Sequence, residues 1–182
     1  MITNQKKSTM QTQRVESKDT AAPFHFVISP EQLLKHWQGH RAVTRKTIEA
    51  FPEEKLYNYS IGGMRPFAAL VMEMLGMAVP GVKGVITGEW ESSASAFSKQ
   101  PPPTKKELLA LWDETTRELN ELWGQIPVHR FQQVDLTFGL YNAPLHFAIF
   151  YWIDNEIHHR AQGYVYLRSL GIEPPAFWDR PA

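Results

Sequence analysis

Read for the spacing of its apolar residues, the chain falls into four long helical stretches separated by polar, glycine-rich or proline-rich joints. Leu33, Trp37, His40, Thr44 and Ile48 recur at helical intervals and make one inward stripe. Ser29 ahead of Pro30 and Glu31 supplies an N-cap and a proline at the first helical position, which predicts a first helix from Pro30 to about Ala50. Phe51-Pro52 ends it, and residues 53–63 form a connection with Gly62-Gly63 as a flexible joint. The second helix starts at Met64-Arg65-Pro66 and covers Pro66–Pro80. Val79–Trp90 is glycine-rich and reads as a turn or short helix, and Glu91–Pro103 as a stiff Ser- and Pro-rich connector. Thr104 with Glu107 forms a capping box opening a third helix to about Gly124, striped by Leu108, Leu111, Trp112, Thr115, Leu119, Leu122 and Trp123. Pro127–Leu140 is expected to be an irregular connection across an end of the bundle, since no run reads as a strand.

The fourth stretch, Phe147–Leu170, organises the rest. Asn142-Ala143-Pro144 leads into it, with Asn142 as candidate N-cap and Pro144 in the first turn. Gly171 suits the left-handed position after the helix, Ile172 the accompanying apolar contact, and Pro174-Pro175 forbid continuation. Phe177 and Trp178 in the tail are expected to pack back onto the bundle. The helix carries Asp154, Asn155, Glu156, His158, His159, Arg160 and Gln162. Residues four apart share a face, so Asn155 and His159 project side by side, while His158 points about 100° away. His146, near the N-terminus of this helix, reads as structural or as a partner contact. His36 and His40 on the first helix are also four apart; His36 is expected in water and His40 at the core edge with a hydrogen-bond partner, the other reading being that one of them lines a site.

Pro66–Pro80, PFAALVMEMLGMAVP, is apolar all round except for Glu73. The run is shorter than a bilayer span, and such a helix is buried on most sides. Glu73 is therefore expected to be buried, where a carboxylate is costly unless paired, hydrogen-bonded or bound to a metal.

The run NEIHHRAQGYVYLRSLGIEPP resembles the last-helix signature of the DinB/YfiT-like family. In that family a histidine, three residues and a second histidine are followed by Arg-Gly-Gln, then Tyr-Leu-Arg and a glycine before prolines. The resemblance implies an all-α four-helix bundle with a divalent metal held by three histidines, one from the second helix and two from the last. His159 matches the second histidine of the pair. Asn155 stands where the first is expected, Ala161 replaces the glycine, and Glu73 is aligned with the second-helix ligand. The resemblance thus implies a metal set of Glu73, Asn155 and His159, with Gln162, Arg160, Tyr164 or Tyr166 supplying supporting hydrogen bonds. A carboxylate, an amide oxygen and an imidazole make a poorer zinc site than three imidazoles, and shift preference toward nickel, manganese or magnesium. The alternative is that Glu73 hydrogen-bonds His159 across the core, Asn155 satisfies the remaining groups, and no ion is needed. Characterised relatives include thiol S-transferases, which implies a small-molecule thiol and an electrophile as substrates. A non-catalytic stress-response or binding module with a degenerate site is the other reading. The sequence names no catalytic residue beyond the candidate ligands.

Composition narrows the classes further. The 182 residues suit one domain, expected over 24–182 behind a polar leader at 1–23 that is expected to be disordered. Lys plus Arg and Asp plus Glu number 19 each, so no broad basic field draws in nucleic acid or anionic lipid. There is no cysteine, which removes disulfides, thiolate zinc sites and cysteine nucleophiles together. Any metal, whether nickel, zinc or manganese, must use nitrogen and oxygen ligands. The opening residues lack the apolar stretch of a secretory signal, so a cytoplasmic location is the expectation. A surplus of aromatic residues and the family habit point to a homodimer.

Overall fold

The computed structural model describes residues 27–181; the expected disordered leader lies outside them. Four long helices, α1 (Pro30–Ala50), α3 (Phe67–Thr87), α5 (Lys105–Trp123) and α6 (Leu145–Ser169), form the bundle. Between them come two short helices, α2 (Glu53–Asn58) and α4 (Ser93–Phe97), a 3-10 turn at Val128–Gln132, and a hairpin of β1 (Val134–Thr137) and β2 (Tyr141–Pro144). Around the bundle α1 neighbours α5 and α6, and α3 neighbours the same two, so α3 and α6 pack side by side.

The helix ends follow local chemistry. Ser29 Oγ accepts the Gln32 N–H at 3.2 Å while Gln32 Oε1 accepts the Ser29 N–H at 2.8 Å, closing a capping box on α1. Thr104 and Glu107 do the same for α5. At the end of α6, Ile172 N–H donates to Leu167 O and Gly171 N–H to Arg168 O, with Gly171 at φ +74°, the expected glycine stop.

Four expectations fail, each for a tertiary reason. The second helix does not stop at Pro80; α3 continues to Thr87. Proline in a helix interior leaves the carbonyl four residues back without its donor, at a cost of about 3 kcal/mol. Packing offsets it: Val79, Val82 and Val85 are buried, and the Trp152 ring lies where a side chain on Gly81 would have to go, 2.7 Å from its would-be Cβ. The full 21-residue helix is long and apolar enough to cross a membrane by length and composition, which corrects the estimate made from the shorter run; here most of that surface is buried in the bundle. Second, the connection before α6 contains the hairpin, so Asn142 is a strand residue paired with Leu136 and not an N-cap. Its turn holds Phe138 at φ +54°, a left-handed position that strains a residue with a Cβ; the ring is buried against Trp90, Phe97 and Trp152. Third, the 53–63 and 91–103 connections carry the short helices α2 and α4. Fourth, Phe177 and Trp178 stay 60 % and 70 % exposed and lean on each other, whereas the tail is tied down by Asp179 to Lys46 at 2.6 Å and by Arg180 lying on Gly39.

The core has two apolar halves, one around Trp37, Ile149 and Trp152, the other around Phe67, Trp112 and Tyr166. Between them α1 contributes His40, Arg41 and Thr44, α5 Thr115, and α6 Glu156, His159 and Arg160, all buried. The bundle therefore has a polar waist.

Candidate functional site

Close approach of α3 and α6 makes the site. A side chain at Gly163 would collide with the Phe67 ring, so this glycine lets the two helices come together. Glu73 then faces Asn155 and His159, one turn apart on α6. His159 is buried, but Glu73 retains 18 % side-chain exposure, because it sits at the edge of α3 where Arg65, in the joint before the helix, reaches it. The expectation that Glu73 is buried is corrected accordingly: it is partly exposed.

Glu73 Oε1 lies 3.0 Å from His159 Nε2 and 3.1 Å from Asn155 Nδ2, and those two nitrogens are 3.2 Å apart. Arg65 donates to Glu73 Oε2. Tyr166 holds that arginine's loop, its hydroxyl donating to Arg65 O at 2.9 Å. The His159 hydrogen bond, with those of Arg65 and Asn155 behind it, holds the Glu73 carboxyl down at about 2 against the burial that would raise it.

His159 Nδ1 lies 3.0 Å from Gln162 Oε1, and an amide oxygen only accepts, so in this orientation of the amide Nδ1 carries hydrogen. If Nε2 is bare, its lone pair points at the lone pairs of Glu73. If Nε2 is protonated, the ring is a cation and cannot also accept from Asn155. With the Gln162 amide oxygen toward the ring, a hydrogen or a cation lies between the carboxylate and the imidazole.

The donor set fits a metal ion on two counts. Asn155 Oδ1 is buried and makes no hydrogen bond; a half-turn of the amide puts that oxygen where the nitrogen now stands. The three donors then form a nearly equilateral triangle with 3.0–3.2 Å edges. Neighbouring ligands of an octahedral ion with bonds of about 2.1 Å are about 3.0 Å apart. Among the described residues no three His, Cys, Asp or Glu side chains converge, so an ion here depends on the amide as its third ligand.

Of the expected supporting residues, Gln162 touches His159 and Tyr166 steadies Arg65, but Arg160 turns away. Its guanidinium donates to His40 O at 3.0 Å and Thr44 Oγ1 at 3.2 Å, and faces His40 Nδ1 at 3.1 Å. The Tyr164 hydroxyl is buried without a hydrogen bond. Arg160 belongs to a second cluster, centred on Glu156. Trp37 Nε1–H donates to Glu156 Oε2 at 3.1 Å, Thr44 Oγ1–H to Oε1 at 2.7 Å, and Arg41 lies 3.8 Å away as the counter-charge. Burial pushes the Arg41 guanidinium down to about 10, its neighbour Glu156 opposing the shift. His40 is pushed down to about 3, first by burial and then by Arg160, His36 and Arg180. His40 is thus a core histidine with partners, and His36 is exposed, as expected. His146 Nδ1 lies 2.8 Å from Phe131 O, a structural contact. Sequence reasoning missed Glu156 and Arg65. Glu156 and Arg160, four apart between Ile153 and Gly163, carried a signal on their own face of the helix; Arg65 carried none beyond being a cation at the joint.

The DinB family model matches residues 17–180 of the chain. Among solved structures, the fold is similar to that of a DinB-like protein from Bacillus cereus, with a TM-score of 0.64 and 17 % identity over 80 % of this chain and 95 % of that one. A DinB-like protein from Bacillus subtilis is similar at TM-score 0.63 and 20 % identity, over 80 % and 97 % respectively. At these identities the likeness bears on fold alone. No curated protein matches the chain.

Proposed function

This chain belongs to the DinB family, and we propose that Glu73, Asn155 and His159 hold a divalent metal ion at the α3–α6 contact. One observation carries the reading: three donors from two helices meet within 3.0–3.2 Å of one another with a buried, unpartnered amide oxygen among them. One carboxylate, one imidazole and one amide suit a borderline ion such as nickel, zinc or manganese. Such an ion, when bound, supplies a positive charge that stabilises an anionic sulfur or oxygen of a small substrate. Gln162 orients the His159 ring, and Arg65 keeps Glu73 ionised.

The finer proposal is a metal-dependent transferase joining a small-molecule thiol to an electrophile. Glu73 keeps 18 % side-chain exposure at the rim, the side from which such a substrate would approach. Elemental analysis of untagged protein tests the centre: near-stoichiometric metal, and a melting temperature raised by added nickel or zinc, are expected. Metal-free protein with no such rise would remove both proposals. A second reading is favoured by the direct Glu73–His159 bond at 3.0 Å, already buttressed by Arg65: a binding or stress-response module in which a proton takes the ion's place.

We further propose a homodimer. Exposed apolar side chains crowd the hairpin and the first turns of α6, among them Val134, Leu136, Tyr141, Phe147 and Tyr151. Light scattering across concentrations should give a dimer mass; a monomer mass throughout would remove it.

A further inference from the structure

Glu73 and Asn155 do not by themselves decide which nitrogen of His159 is free to bind an ion. A carboxylate can accept a hydrogen from Nε2, and an amide can face either form of the ring. Gln162 stands on the other side of the imidazole, with a donor at one end of its amide and an acceptor at the other. With its oxygen toward the ring, Nδ1 must carry hydrogen and the Nε2 lone pair is directed at Glu73 and Asn155. With its nitrogen toward the ring, Nδ1 becomes the acceptor, Nε2 takes the hydrogen, and His159 cannot ligate there.

The other end of the amide meets His158. Gln162 Nε2 lies 3.2 Å from His158 Nε2, while Gln162 Oε1 lies 3.0 Å from His159 Nδ1. Helical spacing makes this bridge: Gln162 is four residues from His158 and three from His159, so one side chain spans two rings that point in different directions. His158 is exposed and lies outside both halves of the apolar core. Its ring stands edge-on to that of His159, centroids 5.2 Å apart, and its hydrogen-bond contact with the site is through Gln162.

We propose that His158 is a positioning residue: by accepting a hydrogen from Gln162 it turns that amide's oxygen to His159, which keeps the hydrogen on Nδ1 and leaves Nε2 for a divalent cation. This rests on the metal reading of Glu73, Asn155 and His159. It assigns the neighbouring histidines separate tasks, His159 as ligand and His158 as the group that sets its tautomer.

Two measurements test it. In metal-free, nitrogen-15-labelled protein, a coupling across the hydrogen bond should join Gln162 Nε2 to His158 Nε2; no such coupling, or one to His159 Nδ1 instead, overturns the proposal. In zinc titrations followed by calorimetry, His158→Ala should bind about ten- to a hundred-fold more weakly than wild type, the usual span for losing a ligand-orienting partner. His158→Gln, whose side-chain oxygen can accept the same hydrogen, should recover most of that loss. The metal-free melting temperature should be the same in all three proteins, which separates positioning from a structural role. Equal zinc affinity in wild type and His158→Ala overturns the relay. Zinc binding by none of them, wild type included, instead removes the metal reading, and the nitrogen coupling still decides the orientation of the Gln162 amide.

Discussion

Helix α6 carries two polar clusters on neighbouring faces, built from adjacent residues: Asn155 and His159 serve one, Glu156 and Arg160 the other. Each holds a carboxylate, yet their surroundings differ. Glu156 has 1 % exposure and receives Trp37 and Thr44 as donors, with Arg41 as counter-charge from inside the protein. Glu73 is part exposed, pairs with Arg65 from the joint before its helix, meets Asn155 and His159 from α6, and lies beside an amide oxygen with no hydrogen bond. A buried charge supplied with its donors by the fold joins elements together. One at the edge of the bundle, beside an amide oxygen that has no hydrogen bond, still has a donor atom to offer a ligand. Burial alone would have ranked Glu156 first; partial exposure together with the meeting of a carboxylate, an imidazole and an amide ranks Glu73 first.

The comparison breaks most readily on stability. Glu156→Ala strands the Arg41 charge in the core and should cost about 3–5 kcal/mol, the range for removing one partner of a buried pair. Glu73→Ala should cost less than half as much by urea denaturation, since the half-exposed Arg65 stays solvated without its partner. Equal losses would mean that both clusters are structural. Next in size, Gly163→Ala must push the Phe67 ring aside and should destabilise by about 1–3 kcal/mol while abolishing zinc binding, with all three ligands still present. Retained binding would show that the α3–α6 spacing does not set the site.

Acidity separates the clusters by range. The folded protein holds His40 at about 3, below its ordinary 6.5, so the unfolded chain takes up the proton first. Stability from this group is complete above about 6.5 and drains away as pH falls toward 3. Glu73, held at about 2 against an ordinary 4.5, contributes stability above about 4.5 that is lost as pH falls toward 2. His40→Gln should flatten the upper part of the acid-denaturation curve and Glu73→Gln the lower part; a change in the other's range would contradict the assignment. The smallest effect on the fold, and a sharp one on binding, is expected from Asn155→His. An imidazole there supplies a stronger donor than an amide oxygen, so zinc affinity should rise at least tenfold in calorimetry with little change in metal-free stability. No rise would indicate that Asn155 does not face the ion.

Local rules reached some of this directly. Ser29, Thr104 and Gly171 act on their own turns of chain, so the starts of α1 and α5 and the end of α6 follow from sequence. The pairing of Asn155 with His159 is likewise a property of one helix, and Glu73 stood out as the lone charge in an apolar run. Pro80 misled because its local cost is real but is outweighed by the packing of a tryptophan from another helix onto Gly81. The hairpin was missed because its strands are four residues each, too short to show a period of two.

The order of the bases in the gene, translated into apolar spacing, caps and one isolated acid, determined that this chain forms a helical bundle and which residues stand on each helix face. Those are short-range matters, fixed by backbone sterics and hydrogen bonds a few residues apart. Which helices touch, how near α3 comes to α6, and that Arg65 and Gln162 close around Glu73 and His159 were decided only in the folded molecule. Such contacts depend on groups 86 residues apart meeting to within a hydrogen bond, and that distance is set by the packing of the whole core.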